Sequence, residues 1–288
     1  MNAIRVEEVT HVYSENSIFE KKALDEISFE VNKGEMVAII GHTGSGKSTL
    51  IQHLNGLLKP TAGKVFINGD DIHSSKEVLK NTRHKVGLIF QYPEHQLFEA
   101  TVLDDVCFGP LKMGKSKEDA EESAKTALET VGLDESVYKK SPFELSGGQK
   151  RRASIAGVLA MKPEVLILDE PTAGLDPRGR EDILGKIKEM HQTLGITVIL
   201  VSHSMDDAAR LCEKIMVMNN GKIVRHGTSG EIFSEVEYLT SIGLDVPQIA
   251  KLMAAVNNMN SNISANIYTM EHALSMFHEL AKKGGVIK

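Results

Sequence analysis

Gly41-His-Thr-Gly-Ser-Gly-Lys-Ser-Thr49 follows directly on the apolar run Met36-Val-Ala-Ile-Ile40. Its first eight residues fit G-x-x-x-x-G-K-[ST], the pattern of a phosphate-binding loop between a strand and a helix. Gly41, Gly44 and Gly46 let the backbone fold back so that successive N–H groups converge on one concavity, an anion nest. A helix starting near Lys47 adds unpaired N-terminal amides and its positive dipole end, both favourable to a polyphosphate. In such a loop Lys47 reaches the β- and γ-phosphates and Ser48 holds Mg²⁺, while His42, Thr43, Ser45 and Thr49 complete the cofactor-binding set. A plain glycine turn is the alternative, but it has no use for Lys-Ser at its end.

The chain has 288 residues, enough for one large α/β domain with a small appendage. A net charge of -6 argues against a nucleic-acid partner bound through a broad basic face. No apolar run approaches the ~18 residues that span a bilayer. The start, Met-Asn-Ala-Ile-Arg-Val-Glu-Glu, lacks a signal-peptide pattern, so a soluble chain is expected. Cys107 and Cys212 lie far apart without C-x-x-C, which fits buried thiols rather than a disulfide framework, and no structural zinc is expected.

Ile4 to Val31 reads as two alternating strands of an antiparallel sheet, with Tyr13 either a packing residue or an aromatic face for a base. Lys47 to Leu57 has Leu50, Ile51, Leu54, Leu57 and Leu58 at helical spacing, stopped by Lys59-Pro-Thr-Ala-Gly63. A strand at Lys64 to Ile67 ends in the Asn68-Gly69 turn, and Val86 to Phe90 delivers Gln91 at a strand end, where open α/β sheets bind ligands. Ser116 to Val131 carries a narrow stripe, Ala120, Ala124, Ala127, Leu128 and Val131, that suits a peripheral helical subdomain.

Leu145-Ser-Gly-Gly-Gln149 then opens a helix and makes a second anion-seeking N-terminus from Ser146, Gly147, Gly148 and Gln149. A simple N-cap is the weaker reading, because two glycines and a glutamine do not improve a cap. Lys150-Arg151-Arg152 reads first as a solvated helix face, with contacts to a partner as the sharper alternative. Val165 to Leu168 suits a strand buried on both faces, and it ends in Asp169-Glu170. Two adjacent carboxylates there divide labour: Asp169 binds Mg²⁺ and Glu170 polarises the attacking water. Asp176 caps a helix starting at Pro177, the strand Gly195 to Val201 ends in Ser202-His203, and Lys214 to Arg225 forms a hairpin about Asn220-Gly221. A short capped helix is expected at Gly227 to Phe233.

The composition shifts near Glu237. Ala254 to Ala265 has little apolar periodicity, whereas Met270 to Ala281 sets Ala273, Leu274, Phe277, Leu280 and Ala281 on one helical stripe. Some fifty residues rarely supply their own core, so residues 237–288 are expected either to dock on the main domain or to dimerise.

Taken together these motifs resemble the ATP-binding cassette ATPases: Gly41 to Ser48 as Walker A, Gln91 as the Q-loop glutamine, Leu145 to Gln149 as the signature sequence, Val165 to Glu170 as Walker B, Ala173 to Asp176 as the D-loop, and His203 as the switch histidine. The resemblance implies a RecA-like core with an antiparallel β-subdomain over residues 1–236, a helical subdomain over about 92–160, and Tyr13 as the adenine platform. It implies Glu170, His203 and Gln91 as catalytic residues and Ser48, Gln91 and Asp169 as Mg²⁺ ligands.

Phe90-Gln-Tyr-Pro-Glu-His-Gln-Leu-Phe98, running into Thr101 to Pro110, is similar to the ATPases of energy-coupling factor transporters, nearer their second type, as is Ile242-Gly-Leu-Asp-Val-Pro-Gln248. That closer likeness implies a heterodimer with a second ATPase, an integral membrane scaffold and a substrate-binding membrane protein. It also implies a place on the cytoplasmic face of the cell membrane and uptake of vitamins or transition-metal ions. The competing readings are the homodimeric ATPase of a conventional importer, a soluble ATP-driven clamp on DNA or ribosomes, and a non-catalytic nucleotide-binding scaffold. The clamp lacks its long coiled-coil insertion or second cassette, and the scaffold has no use for Asp169-Glu170.

Overall fold

The computed structural model describes residues 1–259 and 267–282. Strands β1 (Asn2–Tyr13) and β2 (Lys21–Asn32) pair antiparallel, followed by β3 (Met36–Ile40) and helix α1 (Lys47–Leu54). Next come β4 (Ala62–Ile67), β5 (Asp70–Asp71), α2 (Lys76–Lys85) and β6 (Val86–Ile89). The helices α3 (Val102–Lys112), α4 (Lys117–Thr130) and α5 (Gly147–Leu159) precede β7 (Val165–Asp169), α6 (Pro177–Leu194), β8 (Thr197–Val201) and α7 (Met205–Leu211). The hairpin β9 (Lys214–Asn219) and β10 (Lys222–Thr228) leads to α8 (Ser229–Ser234), α9 (Val236–Ser241), α10 (Gln248–Met259) and α11 (Met270–Lys282). Among the described residues no helix is long and apolar enough to cross a membrane.

Two sheets carry the fold. One is four-stranded in the order β2-β1-β4-β5; the other is six-stranded, β10-β9-β3-β8-β7-β6, parallel except for β10 at its edge. Every residue of β3, β7 and β8 is buried, as parallel strands covered on both faces must be. Their side chains alternate between two cores, as the strand period of two requires. Val37, Ile39, Val165, Ile167, Ile199 and Val201 pack with α1 and the antiparallel sheet. Ala38, Ile40, Leu166, Leu168, Val198 and Leu200 pack with the helices of the other side.

On that second side α3, α4 and α5 form the helical subdomain, each started by a hydroxyl cap from Thr101, Ser116 or Ser146. The expected stripe holds: Ala120, Ala124, Ala127, Leu128 and Val131 are all buried. Cys107 and Cys212 are free and buried, and burial pushes the Cys107 thiol up to about 11.

Two expectations need correction, and one helix was not expected. The first helix stops at Leu54, because Asn55 and the left-handed Gly56, at φ +70°, turn the chain before Leu57, which is 47% exposed. Helix α2 has no counterpart in the apolar pattern, since only Thr82 of its ten residues is buried. In the tail, α10 runs through Met259 despite its weak periodicity, and Leu274 is exposed while Ala273 is buried. The rest of the Asn-rich stretch, residues 260–265, lies outside the described residues, and Leu280 and Ala281 are described in backbone alone.

The tail touches the rest of the fold closely. Leu239, Leu244, Val246 and Ala250 join the same core as Phe233 and the helical subdomain, whereas Ile249, Met253, Ile267 and Ala273 make a small cluster of their own.

Candidate active site

The loop after β3 owes its shape to three glycines with different reasons. A Cβ on Gly41 would lie 2.4 Å from the Met218 carbonyl oxygen, and one on Gly46 would lie 2.7 Å from that of Ala23. Gly44 has open space around it but sits at φ +83°, a conformation that side chains resist. Gly46 caps α1 without a side-chain acceptor, so the first amides of the helix are left to an incoming anion. Lys47 Nζ donates back to the carbonyls of Gly41 at 2.6 Å and His42 at 3.0 Å. Burial pulls its pKa down, while Glu170 and Asp169 hold it up. Ser45 is fully buried beneath the loop with its Oγ unpaired.

Across from the loop, β7 ends in the two carboxylates. Ser48 Oγ donates to Asp169 Oδ2 at 3.3 Å, an oxygen-rich corner of the type that hard divalent cations prefer. Burial raises the pKa of Asp169, and Ser48 and Lys47 oppose it. Glu170 is also buried and raised, with His203 the main opposing influence. His203 Nδ1 lies 2.6 Å from Glu170 Oε2, with the imidazole otherwise largely open to solvent. Glu170 adopts φ +51°, the left-handed region that non-glycine residues seldom occupy. Its N–H donates to the Val201 carbonyl at 2.9 Å, and its own carbonyl accepts from Ala173 N at 3.1 Å.

These groups line one cleft of about 670 Å³, with Tyr13, Gly41, His42, Thr43, Gly44, Gly46, Lys47, Ser48, Thr49, Gln91, Asp169, Glu170 and His203 on its walls. Tyr13 is 38% exposed, meets His11 edge-on at 4.5 Å, and its hydroxyl lies 3.2 Å from Thr49 Oγ1, so it is a wall residue rather than a core one. Lys21, Ala23, Met205, Gly243, Leu244 and Asp245 also line the cleft and were not expected at the site. The last three belong to the tail stretch Ile242 to Gln248, whose docking onto α7, through Gln248 N and Asp206 Oδ1 at 3.3 Å, no local pattern announces.

Ser146, Gly147, Gly148 and Gln149 are not brought to this cleft. They start α5 with a full capping box: Ser146 Oγ accepts from Gln149 N, and Gln149 Oε1 accepts from Ser146 N at 3.0 Å. The glutamine therefore does serve a cap, contrary to expectation, while Gly147 and Gly148 have nothing within 4 Å of a would-be Cβ and leave the helix end open to approach. The solvated-face reading of Lys150 to Arg152 is corrected at Arg151, which is 1% exposed and bonded to Glu94 and two carbonyls.

A family model described as ABC transporter matches residues 24–173. The chain is 53% identical over 272 residues to the energy-coupling factor transporter ATP-binding protein EcfA2 of Clostridium tetani, covering 94% of each. It is 52% identical over 281 residues to the protein so named in Clostridium perfringens, covering 97% of this chain and 99% of the other. Among solved structures it resembles cbiO1 of Clostridium perfringens, described as part of the ABC transporter complex cbiONQ, with a TM-score of 0.75 and 39% identity over 88% of this chain and 99% of that one. A dimeric ATP-binding cassette in a post-hydrolysis state bound to ADP and Pi gives a TM-score of 0.70 at 30% identity, over 78% and 98% of the two chains. With the phosphate loop, the paired carboxylates and the helical subdomain, these likenesses make the chain a member of the ATP-binding cassette family, in the branch formed by the ATPase subunits of energy-coupling factor transporters.

Proposed function

We propose that the cleft binds ATP with Mg²⁺ and hydrolyses it as half of a two-ATPase pair that drives uptake of a vitamin or transition-metal ion. The observation that carries this reading is the contact of Glu170 with His203, one residue beyond the Asp169–Ser48 pair. Loop amides of residues 42–48 and Lys47 hold the polyphosphate, Lys47 exchanging its two carbonyl acceptors for phosphate oxygens. Tyr13 supplies an aromatic face for adenine. Ser48, Asp169 and Gln91 fit Mg²⁺ as oxygen donors, and the ion, when bound, neutralises charge on the β- and γ-phosphates.

Glu170, its basicity raised by burial, takes a proton from the water whose oxygen attacks the γ-phosphorus. The bond from that phosphorus to the β–γ bridging oxygen breaks, and its electron pair leaves with ADP. His203 holds Glu170 and presents the imidazole to the γ-phosphate.

The capped helix end at Ser146 to Gln149 lies outside the chain's own cleft and is open, so it serves the partner ATPase's nucleotide, and the partner's signature helix serves this one. The tail adds to that pairing. Transport requires an integral membrane scaffold and a substrate-binding membrane protein, with this chain on the cytoplasmic face of the membrane.

The test is affinity purification of the chain from its host's detergent-solubilised membranes, with mass spectrometry of what stays bound. The reading expects a second, related ATPase together with one integral scaffold and small substrate-binding membrane proteins. A homodimer on ordinary permeases supports a conventional importer instead, and a purely soluble complex removes the transporter role while leaving the ATPase chemistry.

A further inference from the structure

Arg151 lies in the first turns of α5 yet is among the largest fully buried side chains of the molecule. Its guanidinium spends its donors on two segments far apart in sequence. Nε and Nη2 form a fork with the Glu94 carboxylate, at 3.1 and 2.8 Å, and Nη1 donates to the carbonyls of Pro171 at 2.9 Å and Ala173 at 2.7 Å. Planar bidentate pairing of this type fixes orientation as well as distance.

Both segments matter to the cleft. Glu94 sits in the short helical turn Pro93–Gln96 that follows Gln91, and Ser154 Oγ, one turn along α5, donates to the Pro93 carbonyl at 3.0 Å. Tyr92, at φ +56°, sets the direction of that turn and lies under Gly174, whose Cβ would meet its ring at 3.3 Å. Pro171 and Ala173 belong to the turn that follows Glu170, and Ala173 N closes on the Glu170 carbonyl. In the same turn Thr172 Oγ1 donates to Asp207 Oδ2 at 3.1 Å, and Arg180 pairs with the same carboxylate. The left-handed backbone of Glu170 is a conformation that persists only when its surroundings over-determine it. Here the turn that follows it is held by Arg151 through the Pro171 and Ala173 carbonyls and by Asp207 through Thr172.

We propose that the Arg151–Glu94 fork is a positioning device that locks the segment after Gln91 to the turn that aims Glu170, so that the two move as one body with the signature helix. A displacement of residues 92–96 then reaches the carboxylate through one buried guanidinium, without passing through the nucleotide. Glu94 and Arg151 are positioning residues: neither lines the cleft. The inference rests on the role proposed above for Glu170.

The test uses the full-length chain assembled with its co-purifying partners. Glu94→Gln keeps the size and shape of the side chain but removes the charge that Arg151 faces. It is expected to lower kcat about tenfold, as small misplacements of reacting groups do, with KM and the affinity for ATP in single-site binding within about twofold of the parent. Arg151→Lys, which keeps the charge and loses the fork, should give a smaller loss with the same split. Hydrogen exchange should rise in residues 92–96 and in 171–175 together.

Parental turnover in Glu94→Gln overturns the proposal, as does an ATP affinity that falls in step with turnover, or exchange that rises in residues 92–96 alone. Glu170→Gln run alongside separates the two readings. If it turns over normally, the role of Glu170 has failed; if it is inactive while Glu94→Gln is parental, only the coupling has.

Discussion

His203 Nδ1 and Glu170 Oε2 stand 2.6 Å apart, joining the residue after β7 to the loop after β8. Adjacent parallel strands bring them together, with Asp169 registered on Val201 and the Glu170 N–H bonded to the carbonyl of Val201. The pairing sets the carboxylate's character. Burial raises its pKa, and the imidazole beside it is the largest influence pulling it back.

His203→Ala therefore has two expected effects. Turnover falls by about 10²-fold or more, the scale of a lost acid–base partner. The acid limb of the remaining pH–rate profile moves to higher pH, because Glu170 acts only when ionised and loses the group that holds its pKa down. A pH–rate profile with an unmoved acid limb would separate the imidazole from the basicity of Glu170.

Lys47→Ala is expected to weaken ATP binding about 10- to 100-fold, the worth of a charge-assisted phosphate contact. Equilibrium titration with a fluorescent ATP analogue measures it. Unchanged affinity would count against the phosphate-loop assignment.

Gly41→Ala and Gly44→Ala separate close approach from backbone conformation. At Gly41 the new Cβ meets a backbone oxygen at 2.4 Å, and the expected loss is about 1–3 kcal/mol. At Gly44 only the left-handed φ opposes the substitution, costing roughly 1 kcal/mol. Urea unfolding should rank Gly41→Ala as the more destabilising, and the reverse order would contradict the packing described for the loop.

His53 is expected to make stability depend on pH. Its Nδ1–H donates to the Thr49 carbonyl at 2.7 Å, and Nε2 faces His11 Nδ1 at 3.2 Å. Burial lowers its pKa from 6.5 to about 4. Between those values the unfolded chain binds a proton that the folded chain refuses, so this contribution to stability is present above pH 6.5 and is lost as pH falls towards 4. Relative to His53→Gln, the parent should lose about 2–3 kcal/mol more between pH 7 and 4. Parallel pH dependence in the two proteins would refute the assignment.

The phosphate loop and the strand-end carboxylates were legible because their chemistry is local: each motif is a strand followed at once by the groups it presents. His203 was legible only through its company and the family resemblance, because a lone histidine after a strand is more often structural. The buried strands were legible for the same reason, being unbroken apolar runs such as Val165 to Leu168. Arg151 was not, because its burial is decided by Glu94, fifty-seven positions earlier, and by carbonyls twenty and twenty-two positions later. Helix α2 was hidden by its exposure, and Leu57 was misread because a left-handed Gly56 outweighs a continuing apolar stripe. The walls contributed by Gly243 to Asp245 depend on tertiary docking alone.

The most direct test of the central claim is the Glu170→Gln variant, assayed for ATP binding and for ATP turnover in the assembled complex. The account predicts parental ATP affinity, turnover reduced by roughly 10²–10⁴-fold, and a closed pair of ATPases that retains ATP. Near-parental turnover would remove Glu170 from the chemistry and contradict the site described for this chain.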